Sequence, residues 1–526
     1  MTAYADSSPA PARPAGPDLP VVLLSHRGPA SFGAPGDDGV RRLQRGGGGL
    51  VAALLGLGRE LPDAVWVCAA TSDEDREVAR EQGGEPLSLV VGPQPRLAEP
   101  GEHDPDDGPL AAVRLVDLPA EPHNDFYTVI ANPLLWFIQH GMYGFAESPD
   151  ITQRDHDAFE GGYRLVNELC ADAVIEQVQA VGGRALVMLH DYHFYLVAER
   201  VRKAVPDAII SHFVHIPWPE PSHWRVLPPS MREPIMRGML GNDVVAFHTR
   251  RDARNFLLCA EDLLGLSVDL DRLCVEVDGR EVLARAYPIS IDVRAIEELA
   301  ASEEVARHRD DIQRGYRLDD GIKLVLRVDR TDPSKNIVRG FKAFDQLLTD
   351  HPELLAKVTF LAFLQPSRQD VPEYADYLAA IGAVAAQVNA RHARGMWAPI
   401  SLRMQENLPF AVAAYSICDV LVVNAVADGM NLVVKEAAVV NRRDGVLALS
   451  ENTGAFEELG EFAVTLHPFD IQQQADALYE ALTRDPERRR RDRDNAAGVV
   501  RRNDVRAWLR AQLSDLKRLE MEQNQS

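Results

Sequence analysis

At 526 residues the chain is too long for one hydrophobic core and suits two domains of ordinary size plus tails. Hydrophobic residues make up 46% and charged residues 26%, the balance of a soluble globular protein. A formal net charge of −23 argues against nucleic acid or an anionic membrane surface as a partner, because phosphates are repelled over most of such a surface, yet it leaves room for a basic pocket that takes one small anion.

Residues 1–19 are rich in Pro, Ala and Ser and lack the apolar core of a signal peptide, so they read as a disordered tail. Beyond them, short β-branched and apolar runs alternate with longer stretches of helical periodicity, the pattern of parallel sheet wrapped by helices. The first half gives expected strands at 21–25, 65–69, 112–116, 185–190, 209–215 and 244–248. The second gives 323–328, 358–364, 420–424, 445–449 and 463–466. Residues 92–109, rich in Pro, Gly and Asp, read as a surface loop, and Ala286-Tyr-Pro-Ile-Ser-Ile-Asp292 as an extended connector. The expected organisation is a first domain over 20–288, a second over 289–500 and a terminal helix over 501–526. That helix would dock through Val505, Trp508, Leu509 and Leu513, and the arginine run before it, interleaved with Asp and Glu, reads as a solvated helix. Cys68, Cys170, Cys259, Cys274 and Cys418 are scattered and odd in number, which suits free thiols in the cytoplasm rather than a disulfide framework. No apolar run reaches the roughly 18 residues a bilayer span needs.

In open parallel sheets, ligands bind beyond the carboxyl ends of the strands. There the sequence places His26-Arg27, His190-Asp191-Tyr192-His193, His215-Ile-Pro-Trp-Pro219, the loop from Arg330 to Lys335, Arg368, and Asp428-Gly-Met-Asn-Leu432. Charged and glycine-rich loops at so many strand ends predict a ligand cleft between two sheets, since such groups cost desolvation unless something satisfies them. Each piece alone admits a plainer reading. The run Gly46–Gly49 is either a flexible turn or a phosphate-binding loop, and it lacks both GxGxxG and P-loop spacing. His190 and His193 are either metal ligands, for which no third ligand lies nearby, or groups that meet substrate hydroxyls. Arg330 and Lys335 are either surface charges or two cations converging on a diphosphate. Asp428 and Glu436, eight residues apart, share a face if a helix begins at Gly429; otherwise they are solvated carboxylates.

Together the motifs HDYH at 190–193, HIPWP at 215–219, YPISID at 287–292 and DGMNLVVKE at 428–436 resemble those of the trehalose-6-phosphate synthase family, over about residues 21–508. The resemblance implies an α/β protein with two facing Rossmann-like domains, the GT-B architecture, and an active site in the cleft between them. It implies a retaining glycosyltransferase that joins a nucleotide-activated glucose to glucose 6-phosphate without cofactor or metal. By this similarity Arg27, Tyr127, Trp136, Tyr192 and Arg368 hold the acceptor, with Asp191 on its hydroxyls. His215 and Asp428 flank the donor sugar. Arg330 and Lys335 meet the diphosphate, and Gly48, Gly49, Asn407, Gly429, Met430, Asn431, Leu432, Val433 and Glu436 surround the nucleotide.

Several stretches depart from the family pattern. Trp66-Val-Cys-Ala-Ala-Thr71 lacks an acceptor-side aromatic, the loop 330–336 carries Pro333 and Asn336, and Arg403-Met-Gln-Glu-Asn-Leu-Pro409 differs near the base. These resemble an actinobacterial branch that uses GDP-glucose and includes pseudo-glycosyltransferases joining a nucleotide-linked cyclitol to an aminocyclitol phosphate, which stays open as the alternative. A non-catalytic sugar-phosphate sensor is disfavoured because Asp191, Arg330, Lys335 and Glu436 are all present, and a dehydrogenase because GxGxxG is absent. The expected partners are small-molecule substrates, with a homo-oligomer left open.

Overall fold

The computed structural model describes residues 19–36, 41–46, 51, 54, 64–92, 94–99, 102, 110–144, 148–369 and 371–525. The tail expected at 1–19 therefore lies, but for its last residue, outside the described residues. In chain order the strands are β1 Val21–Ser25, β2 Ala30–Pro35, β3 Arg41–Arg45, β4 Val65–Ala69, β5 Leu87–Val90, β6 Arg96–Leu97, β7 Leu110–Val116, β8 Leu186–His190, β9 Ile209–Phe213 and β10 Val244–Phe247. They continue with β11 Val268–Asp269, β12 Cys274–Val277, β13 Arg280–Ala286, β14 Lys323–Arg330, β15 Val358–Gln365, β16 Ile400–Met404, β17 Val420–Val423, β18 Val446–Ser450 and β19 Val464–Leu466.

Two large sheets organise the chain. The first runs β11-β12-β13-β10-β9-β8-β1-β4-β7-β5-β6, parallel from β13 to β7 and closed at both edges by antiparallel strands. The second runs β16-β15-β14-β17-β18-β19, parallel throughout. Central strands such as VVLLS in β1 and LVMLH in β8 are buried along their whole length, as strands covered by helices on both faces must be. In each sheet the chain winds outward one way and then the other. The order reverses between β1 and β8 in the first sheet and between β14 and β17 in the second, which opens a crevice at each carboxyl edge.

The hydrophobic core has a part on the outer side of each sheet and a third part continuous from Val21 and Met188 in the first half to Leu326 and Leu421 in the second. The helix Val505–Gln523 turns back onto the first half. Val505, Trp508 and Leu509 are buried, the Trp508 ring meets Phe213 edge-on at 5.4 Å, and the Tyr287 hydroxyl donates to Asp515 at 2.7 Å.

Some local structure differs from the sequence reading. The stretch read as a loop at 92–109 contains β6, whose Leu97 and Arg96 pair with Leu89 and Val90. The β2/β3 hairpin and β5, β11, β12, β13 and β16 were not anticipated. They are short or half exposed, so they lack the continuous apolar run that marks a central strand; in β16 only Ile400 is buried.

Candidate active site

The first crevice is lined by the turns that leave β1 and β8. The turn after β1 is held from behind: the Trp66 indole donates to Ser25 Oγ at 2.7 Å, and the Ser25 hydroxyl donates to the Arg27 carbonyl at 2.7 Å. After β8, Asp191 adopts φ 74°, a left-handed value that costs a non-glycine residue about 1–3 kcal/mol and persists only where its surroundings over-determine it. They do so here. Its N–H donates to the Phe213 carbonyl at 2.7 Å, its carbonyl lies 2.9 Å from His212 Nε2, and its Oδ1 accepts from the His215 N–H at 3.3 Å. Burial pushes the Asp191 carboxyl up to about 6, against the pull of its backbone partners, Arg368 and Arg330. His215 packs on Phe213, His190 and His248, with its Nε2 3.2 Å from His190 Nδ1. Burial and the neighbouring imidazoles drive its pKa well below the ordinary value, so it is neutral.

The second crevice joins the loops after β14 and β17. Lys335 Nζ lies 2.5 Å from Asp428 Oδ2, and Asn431 Nδ2 donates to the same oxygen at 3.1 Å. Burial works against the ammonium, but Asp428 and Asp329 more than restore it, and Lys335 in turn overcomes burial to hold the Asp428 carboxyl below its usual range. Arg330, half exposed, is braced by the buried Asp332 at 2.6 Å. The helix Leu432–Val440 begins at Asn431, whose φ is 79° and whose side chain accepts from the Val434 N–H at 3.2 Å. The expected start at Gly429 is thus corrected. Asp428 lies outside the helix and pairs with Lys335, while Glu436 interacts with Tyr415, so the two carboxylates share no helical face. Burial pushes the Glu436 carboxyl up to about 7, against the Tyr415 hydroxyl.

The crevices touch through Gly429. A Cβ on that residue would stand 2.4 Å from the His215 carbonyl oxygen, so glycine is required for the second loop to reach the first. Lys435 reinforces the junction: buried, it donates to the Ile289 carbonyl at 2.8 Å and pairs with Glu458.

A third cluster gathers around Arg368, which follows β15 with φ 48°. Its guanidinium donates to the Tyr192 hydroxyl at 3.1 Å and to that of Tyr374, and stands 5.4 Å from the Trp136 ring centroid and 5.3 Å from that of Tyr374. The Tyr192 hydroxyl donates to Asn132 Oδ1 at 2.7 Å. Burial would raise the Tyr127 phenol, but Arg368 and Arg27 beside it outweigh that and hold it below the usual range. Among the described residues no carboxylate forms an ion pair with Arg27 or Arg368. Two guanidiniums at one aromatic cluster without a paired counter-ion suit an incoming anion.

Gly48 and Gly49 lie outside the described residues. Asn407 caps the helix Leu408–Ile417, its Oδ1 accepting from the Phe410 N–H at 2.8 Å, and Glu406 beside it is exposed. Met430 is buried, while Leu432 and Val433 are half-buried in the first turn of their helix. His190 and His193 face different neighbours, His215 and His26. Among the described residues no group of three or more His, Cys, Asp or Glu side chains is placed to hold a metal ion, and no helix is long and apolar enough to cross a membrane. Sequence reasoning missed Asp332, Asn132, His123 and Tyr374. Asp332 lay inside a loop already singled out, whereas nothing in the local pattern marks the other three.

The family model for glycosyltransferase family 20 matches residues 36–518. The chain belongs to that family. An alpha,alpha-trehalose-phosphate synthase [UDP-forming] from Aspergillus niger is 29% identical over 507 residues, 95% of this chain and 90% of that protein. A validamine 7-phosphate valienyltransferase from Streptomyces hygroscopicus subsp. jinggangensis is 31% identical over 464 residues, 86% of this chain and 85% of that protein. Among solved structures, an alpha,alpha-trehalose-phosphate synthase (UDP-forming) from Burkholderia vietnamiensis superposes with a TM-score of 0.77 at 26% identity, covering 96% of this chain and 99% of that one. The two parallel sheets facing across a cleft are the GT-B architecture, and this member of glycosyltransferase family 20 is an enzyme of the glycosyltransferase class.

Proposed function

We propose that the chain transfers glucose from a nucleotide-glucose, GDP-glucose in preference to UDP-glucose, to glucose 6-phosphate, giving α,α-trehalose 6-phosphate with retention at the donor carbon. The observation that carries this reading is the gathering of four cations at one cleft in two groups: Arg330 and Lys335 in the loop after β14, and Arg27 of the first half with Arg368 of the second at the aromatic cluster. A glycosyl transition state has positive charge on the sugar and negative charge on the departing diphosphate. Arg330 and Lys335, each oriented by a carboxylate, stabilise the diphosphate where its charge develops, aided by the amino end of the helix Leu432–Val440. Arg27 and Arg368 grip the acceptor phosphate, with Tyr127, Trp136 and Tyr192 around the sugar. Asp191, fixed by its backbone bonds, takes acceptor hydroxyls, and neutral His215 and Asp428 border the donor sugar. Attack from the leaving-group face lets the departing phosphate take the acceptor's proton, so no protein nucleophile is needed. In this reading 20–288 supplies the acceptor side apart from Arg368, 289–500 supplies that residue and the nucleotide side, and 501–526 straps the second half to the first.

The donor base is the finer point. Asn407 Oδ1 is committed to its helix cap, which leaves the exposed Glu406 carboxylate as the side-chain acceptor for guanine's N1–H and amino group. Uracil presents no such donor pair, so a carboxylate that meets guanine there has no matching donors when uracil binds. Comparison of kcat/KM for GDP-glucose and UDP-glucose at fixed glucose 6-phosphate tests it. A higher value for GDP-glucose is expected, and equal values or a UDP preference would remove the GDP assignment alone. The similarity to the Streptomyces valienyltransferase favours a second reading, transfer of a nucleotide-linked cyclitol to an aminocyclitol phosphate, which uses the same anion grips.

A further inference from the structure

His26 and His123 meet where the acceptor phosphate is read to bind. Their Nε2 atoms are 3.1 Å apart, and their rings lie edge to edge, nearly parallel at 14° with centroids 5.4 Å apart. His26 also lies 4.8 Å from the His193 ring and 5.0 Å from that of Tyr127, so three imidazoles and a phenol cluster around His26. Arg27 adjoins it from the same turn, Arg368 comes from the second half, Phe126 closes one side, and Arg76 faces His123. Among the described residues no carboxylate pairs with either imidazole. That placement is unfavourable for a protonated histidine as long as the guanidiniums stand alone, and burial together with His123, Arg27 and Arg368 pushes His26 down to about 3.

We propose that His26 and His123 are a proton-accepting pair that completes the acceptor-phosphate grip: when a phosphate dianion enters between Arg27 and Arg368, the pair takes one proton from solvent and becomes the third cation of the site. The inference rests on the reading of Arg27 and Arg368 as the acceptor-phosphate grip.

The geometry sets the capacity. In the neutral pair one ring donates through Nε2–H and the other accepts through its Nε2 lone pair. A proton added at Nδ1 of the donating ring keeps that bond and makes it charge-assisted, which strengthens it. A second proton, on the accepting nitrogen, would break it. The pair therefore holds one extra proton and no more. A dianion supplies the opposite charge that the empty site lacks, so protonation becomes favourable only on binding. Since the free pair is neutral and the occupied pair charged, acceptor affinity rises as pH falls, until the phosphate itself gains a proton near its second pKa of ~6.

Calorimetric titration of the full chain with glucose 6-phosphate, without donor, measures this at pH about 7.5, above that phosphate pKa. Repeating it in buffers of low and high ionisation enthalpy counts the protons taken up. The wild-type chain should take up a measurable fraction of one proton. His123→Gln and His26→Asn should abolish the uptake and weaken binding by roughly 10-fold, the worth of one charge-assisted bond, with the KM for donor unchanged. His123 is half-buried and tolerates the change if buried His26 does not. Buffer-independent heats in the wild type, or uptake unchanged in His123→Gln, would overturn the pair. If neither glucose 6-phosphate nor inorganic phosphate binds the wild-type chain, the acceptor-site reading itself fails, and the inference with it.

Discussion

Arg330 and Lys335 are five residues apart in sequence, and each cation is held by its own carboxylate, Asp332 or Asp428. If they stabilise a departing diphosphate, Arg330→Ala or Lys335→Ala should lower kcat by about 10²–10³ in a folded protein. Steady-state kinetics with circular dichroism as a fold check measures this, and near-normal turnover in either variant would contradict the assignment. Glu436 offers a test by pH. Its carboxyl is pushed up to about 7 by burial, so below that pH it is protonated and above it is a carboxylate. Donor hydroxyls that need a carboxylate acceptor then lose it on acidification. The donor KM at saturating acceptor should rise as pH falls through about 7 and be flat above it, and Glu436→Gln should remove the dependence. A donor KM independent of pH in the wild type would detach Glu436 from the nucleotide. Strand-end residues such as Asp191 and Lys335 were legible in the sequence because a charged group just past an apolar run stands out. His123, Asn132 and Tyr374 were not, because their partners, His26, Tyr192 and Arg368, lie on other elements and no local spacing links them.

At the scale of elements, strands buried along their whole length announce themselves and half-exposed ones do not, β13 among the latter although it pairs parallel with β10. β1 and β4 occupy the residues their apolar runs predict, because burial on both faces leaves no polar position inside them. β6 has two residues and β16 a single buried one, so neither carries a pattern of period two. The start of the helix Leu432–Val440 was misplaced for a related reason. Gly429 looks like a helix opener, but it is consumed by its approach to His215, and Asn431 takes the cap. Gly429→Ala tests that junction. The added Cβ would meet the His215 carbonyl at 2.4 Å and His248 Cδ2 at 3.0 Å, and a backbone oxygen cannot swing aside as a side chain can. The two crevices should be forced apart, with transfer falling by about 10² for a displacement of about 1 Å. Unaltered kcat in the variant would show that this contact does not set the cleft.

For the whole molecule, the two sheets reverse their strand order at facing points, and every cation assigned to a substrate stands at one of those carboxyl edges. The net charge of −23 would repel anionic substrates from much of the surface, so Arg27, Arg330, Lys335 and Arg368 matter the more if they meet them. If Arg330 and Lys335 meet the leaving diphosphate as proposed, they do the work a divalent ion would otherwise do. The reaction should therefore proceed with all metal removed. The most direct measurement mixes the purified chain with GDP-glucose and glucose 6-phosphate in excess EDTA and follows the products by NMR. Trehalose 6-phosphate with the α,α linkage and stoichiometric GDP are the expected products. No disaccharide phosphate from any glucose nucleotide with glucose 6-phosphate, or synthesis that stops with EDTA and returns with metal, would contradict the proposed transfer.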